Sequence, residues 1–154
     1  MTKLLNKIHS YLLTYYNTFS ILYTSKEDRK FMNIEKSMIW VTLRKEGLHC
    51  YPDSLTNKEL EEVSFLGYPH RHVFHFKVWI EVFHDDRDVE FILFKRWLES
   101  LYNDQTLQLQ NKSCEMIACD LHREINSKHP DREIWIEVSE DGENGCFIKF
   151  LSTN

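Results

Sequence analysis

The chain has 154 residues, 42% hydrophobic and 28% charged, with an aromatic share of 14% and a formal net charge of −5. That is enough chain for one domain with a buried core, and the acidic balance argues against a nucleic-acid partner. The four cysteines form no C-x-x-C pair and no disulfide framework, so they read as the reduced thiols of a cytoplasmic protein.

The opening residues are partly apolar, but Asn6, Lys7, His9 and Ser10 interrupt the run and no small-residue cleavage site follows. Neither a secretory leader nor a membrane span is expected. From Leu4 to about Leu22 apolar residues recur at helical spacing and predict an amphipathic helix, although the Thr- and Tyr-rich second half would also suit a strand. A polar run from Ser25 to Lys30 ends it. Ser37 to Arg44 is β-branched and aromatic, and predicts a first strand. Gly47 and Pro52 mark a change of direction, and residues 53–67 read as a loop with one helical turn around Lys58 to Val63.

A second strand is predicted from His72 to Phe83. Asp85-Asp86-Arg87-Asp88 then offers turn and N-cap chemistry for a helix from Val89 to Tyr102, striped by Phe91, Phe94, Leu98 and Leu101. Residues 103–111 read as a loop. Ser113 is the N-cap of a second helix running to about Ser127, which His129-Pro130-Asp131 stops. Glu133 to Ser139 alternates as a third strand. Glu140 to Gly145 is a hairpin loop whose two glycines supply positive φ, and Cys146 to Leu151 closes the sheet. The order β-β-α-α-β-β predicts an α+β fold: a four-stranded antiparallel sheet with two helices on one face, preceded by an N-terminal helical extension. The corresponding division is an extension over residues 1–33 and a folded domain over residues 34–154.

The chemistry gathers at two strand ends. His70 and His72 are two residues apart, so in a strand they share a face, while His75 points the other way. His49 follows the first strand. If the two strands pair antiparallel, three imidazoles converge, and three histidines with an open position are a catalytic zinc pattern. A lone H-x-H in a strand is more often structural than ligating. His84, His122 and His129 read as solvated or surface residues.

The ordered motifs resemble the 6-pyruvoyltetrahydropterin and 6-carboxytetrahydropterin synthase family. That family has a zinc histidine after its first strand, where this chain has His49, and an H-G-H-N-Y motif, matched by His70-Arg71-His72-Val73-Phe74. Its hydrophobic-D-F-x-x-L-K segment is similar to Val89 through Lys95, its P-T-x-E-N segment to Lys112 through Met116, and its E-T-x-x-S-G-C element to Glu140 through Cys146. Together these islands cover Met38 to Phe150. The resemblance implies the tunnelling fold and a zinc ion held by His49, His70 and His72. It implies a pterin or related purine-like substrate anchored by Glu140, with Glu115 near the start of the second helix, and a homo-oligomer, trimeric or hexameric. Arg71 replaces the family's glycine and offers a cation to a phosphate or carboxylate, or points outward.

The departures bear on the reaction. The family's catalytic cysteine, four residues before the first histidine of H-x-H, is Leu66 here, and residues 103–111 hold Asp104 but no histidine. Cys50 is the substitute thiol, because a nearby cation lowers a thiol pKa; against this, adjacent strand residues face opposite ways. Glu62 is another candidate base. Two readings stay open: a zinc-dependent carbon–oxygen lyase, or a binding protein of the same fold without the family's acid–base set.

Overall fold

Alternating burial over Ser37–His49 builds strand β1, and the same period over His70–Val82 builds β2. In β2 the even-numbered residues Phe74, Phe76, Val78 and Ile80 are buried on one face, as a period of two requires. Arg71 pairs with Glu46 and Lys77 stands over Trp40, so the two neighbours run in opposite directions and the end of β1 adjoins the start of β2. The computed structural model describes residues 32–152; the helix read over Leu4 to Leu22 lies outside them. The chain divides into two compact units, Met38–Glu81 with Glu90–Asn154, and Met1–Ser37 with Val82–Val89. The first holds both helices and the histidine cluster. In the second, Asp88 accepts a hydrogen bond from the Phe83 N–H at 2.6 Å and closes a turn.

The fold is α+β, but the sheet is not the four-stranded antiparallel one that the sequence predicts. It has five strands in the order β3-β1-β2-β4-β5 and is mixed. The added strand is β3, Thr106–Gln110, inside the segment read as a loop, and it pairs in parallel with β1. Its short T-L-Q-L-Q alternation buries Leu107 and Leu109, and that apolar gain outweighs its polar composition. Strands β4, Ile134–Glu140, and β5, Asn144–Phe150, complete the antiparallel part.

Helix α1 spans Phe91–Leu101 and α2 spans Cys114–Lys128. The N-cap of α1 is Glu90, whose carboxylate accepts the Leu93 N–H at 2.8 Å, rather than a residue of the Asp85–Asp88 run. Ser113 caps α2 as expected, accepting the Met116 N–H. Helix α2 packs on β4 and β5, burying Ile117, Ala118, Leu121 and Ile125. Helix α1 buries Phe94 and Leu98 and meets the end of α2 where Phe94 and Trp97 contact His129. Residues 53–67 are more regular than a loop. They form two 3-10 helices, Pro52–Leu55 and Lys58–Gly67, the second capped by the Asn57 side chain.

The other sheet face carries Trp79 opposite Trp135 and Phe147, with Lys77 over Trp40 and Trp79 and Lys149 over Trp135. His75 lies on this face, opposite Ser139. Among the described residues no helix is long and apolar enough to cross a membrane.

Candidate metal centre

Three imidazoles meet where β1 ends and β2 begins. His70 and His72 share a face of β2 by the strand repeat. His49 arrives through an irregularity: between Leu48 and His49 the β1–β3 register slips, Leu48 facing Gln108 but His49 facing Gln110. Gln110 takes a left-handed φ of 55° there, and its carbonyl accepts the Cys50 N–H at 2.7 Å. Ring centroids lie 4.6 Å (His49–His70), 5.2 Å (His49–His72) and 5.0 Å (His70–His72) apart. Beneath them Phe74 is fully buried, its ring edge-on to His49. Gly47 makes that floor possible, since a Cβ there would stand 2.8 Å from both Phe74 and Leu109.

The outer nitrogen of each ring faces an acceptor. His49 Nδ1–H donates to the Lys112 carbonyl at 3.2 Å, His70 Nδ1–H to the Tyr68 carbonyl at 2.7 Å, and His72 Nδ1–H to Asp141 Oδ2 at 2.5 Å. A neutral imidazole with its proton on Nδ1 keeps its lone pair on Nε2. The Nε2 atoms of His49 and His72 are buried and have no hydrogen-bond partner. Burying such a group without a partner costs about 1–3 kcal/mol. One ligand atom from each of the three residues lies within 4.8 Å of the others. Unpartnered nitrogens, fixed tautomers and this spacing fit a metal ion, and the three histidines could hold one.

Asp141 belongs to the same construction. With Gly142 it occupies the two positive-φ positions of the three-residue β4–β5 loop, φ 55° and 76°, in the turn that the Glu143 N–H closes onto the Glu140 carbonyl at 3.0 Å. Of the two glycines expected to supply positive φ, Gly142 does, while Asp141 rather than Gly145 takes the other such position. Gly145 is small for another reason, because a Cβ there would meet the Val138 carbonyl at 2.2 Å. The left-handed turn brings the Asp141 side chain back to β2, where Oδ1 accepts the Val73 N–H at 2.8 Å. Hydrogen bonds from His72 and Val73 hold its carboxyl below the usual carboxylate range. Its partner role was missed in the sequence; the Asp-Gly pair was the available signal. Asp141→Asn is expected to weaken metal binding at the three histidines about 10–100-fold without unfolding the protein. Competition against a chromophoric chelator measures this, and wild-type affinity in the variant would remove Asp141 from the metal's support.

A cleft of about 330 Å³ opens beside the histidines, walled by Cys50, Tyr51, Leu66, Cys114, Glu115 and Glu140 among others. Glu140 ends β4 and lies opposite Phe74. Its carboxylate stands 3.4 Å from His49 Nε2 and 3.7 Å from His72 Nε2. Glu115 sits in the first turn of α2, where its carboxyl is held low by the Ser113 hydroxyl and the helix's own N–H. Cys114 is the second residue the sequence reading passed over. Burial and the neighbouring Glu140 charge push its thiol up to about 12, so it is neutral near pH 7. Cys50 and His49 both line the cleft, with the strand ending at His49. Arg71 is not brought to this cluster: on the opposite face of β2 it pairs with Glu46 at 3.0 Å.

Comparison of the sequence with known protein families and with curated proteins returns no match. The molecule is thus an α+β protein with a mixed five-stranded sheet and three histidines placed so that they could hold a metal ion.

Proposed function

We propose that the protein is a zinc-dependent lyase of the 6-pyruvoyl- or 6-carboxytetrahydropterin synthase type, acting on a dihydroneopterin triphosphate-like substrate. The observation that carries this reading is the convergence of three Nδ1-bonded histidines, two of which, His49 and His70, line a cleft that also holds Glu140. The order of the sequence motifs supports it. A zinc ion held by His49, His70 and His72 supplies Lewis acidity toward oxygens of the substrate side chain and acidifies the adjoining bonds.

The chain's own residues do the rest. Glu140 offers two oxygens to the paired N–H donors of a 2-amino-pyrimidinone edge, a bidentate match. Tyr51, exposed on the cleft wall, gives a planar ring a face to stack on. Cys50, which lines the cleft next to His49, is the thiol assigned to proton transfer. By the same resemblance the protein assembles as a homo-oligomer, a trimer or hexamer. The open edges at β3 and β5 and the exposed Trp40 and Phe147 are the surfaces such an assembly would cover.

One observation favours a second reading, pterin or purine binding without turnover. Leu66 lines the cleft where the family carries its catalytic cysteine, and residues 103–111 contribute Asn111 to the wall but no histidine. The test is incubation of zinc-loaded protein with dihydroneopterin triphosphate, followed by phosphorus NMR. Release of inorganic triphosphate is the expected result. Stoichiometric zinc and pterin binding with no release selects the second reading, and protein that takes up no zinc sinks both.

A further inference from the structure

Glu140 stands nearer the histidine cluster than a residue that only reads a ring edge needs to. Its Oε1 is 3.4 Å from His49 Nε2 and its Oε2 is 3.7 Å from His72 Nε2, the two buried nitrogens without a hydrogen-bond partner. Two ligands each about 2.0–2.1 Å from a tetrahedral zinc stand about 3.3 Å apart. Both separations therefore approach the edge length of a coordination tetrahedron. The backbone fixes this placement. Glu140 lies directly across from Phe74 in the β2–β4 ladder, which makes it the diagonal same-face neighbour of His72. Among the described residues no lysine or arginine pairs with the carboxylate, and its other polar neighbour is the Cys114 thiol at 3.8 Å.

We propose that Glu140 is the fourth protein ligand of the metal in the substrate-free protein, so that the site is three imidazoles and one carboxylate. The inference rests on the three-histidine metal reading and deepens it. A metal held there would have four protein ligands in the substrate-free protein, and Glu140 would serve both the metal and the substrate's ring edge, one at a time.

Cobalt(II) titration of the wild type and two variants tests this. Glu140→Gln keeps the shape but not the charge, and should bind cobalt about 100-fold more weakly or worse, beyond what loss of a merely supporting hydrogen bond costs. Its visible absorption should also change, with circular dichroism showing the fold intact. Glu140→Cys should give a thiolate-to-cobalt charge-transfer band that the wild type, with its own cysteines in place, does not show. Wild-type affinity and spectrum in Glu140→Gln would overturn the proposal while leaving the three histidines as ligands. Should that variant fail to fold, absence of the band in Glu140→Cys overturns it. If the wild type itself binds no cobalt, the three-histidine reading falls and this inference with it.

Discussion

Substituting alanine for His70 is expected to abolish the stabilisation that an ion held by the three histidines would give the fold. The site joins the end of β1 to the start of β2 and exists only when those strands are paired, so a metal held there binds the native state alone. At a free zinc concentration 100 times the dissociation constant, such binding adds about 2.7 kcal/mol, which for a chain of this size raises the melting temperature by about 5–10 °C. The wild type should show this rise with zinc and lose it with a chelator. His70→Ala should show neither change, because two imidazoles remain and the Tyr68 carbonyl loses its donor. Thermal unfolding of both proteins with zinc and with chelator decides the matter. An equal zinc-dependent rise in the variant would place the ion elsewhere.

The second large effect concerns the floor of the site. Phe74 has no exposed surface, and its ring supports His49 at 5.3 Å and His72 at 6.0 Å between centroids. Phe74→Ala should destabilise the protein by about 3–5 kcal/mol, the usual cost of removing a buried aromatic ring. The hole would open beneath two ligands, so metal affinity should fall as well. Phe74→Leu retains more of the packing and should cost less in both respects. Urea unfolding gives the stability and metal competition gives the affinity. A loss under about 1 kcal/mol in the alanine variant would contradict the packing described for this residue.

The long elements were legible in the sequence because their periods are strong. The even-numbered residues of β2 and the Phe94–Leu98 stripe of α1 state their buried faces directly. The same-face pair His70 and His72 followed from that period, and His49 from the antiparallel pairing of neighbours. What was not legible depends on pairing or on single dihedral angles. The five residues of β3 alternate too briefly to stand out from a loop, and their parallel partner lies about sixty positions earlier in β1. Asp141 acquires its contact with His72 only through a left-handed turn. Glu140 reads as a hairpin acid until the β2–β4 register sets it beside the imidazoles.

The slip in register between β1 and β3 divides the three imidazoles by how they are tethered. His70 and His72 stand as a unit, since the repeat of one strand sets their separation. His49 ends a different strand, beside which β3 carries one residue more than β1. A deletion or insertion within residues 106–110 would reset that one corner and leave the other two ligands standing. The cluster's capacity to hold an ion would then hang on a five-residue strand that contributes none of the three imidazoles.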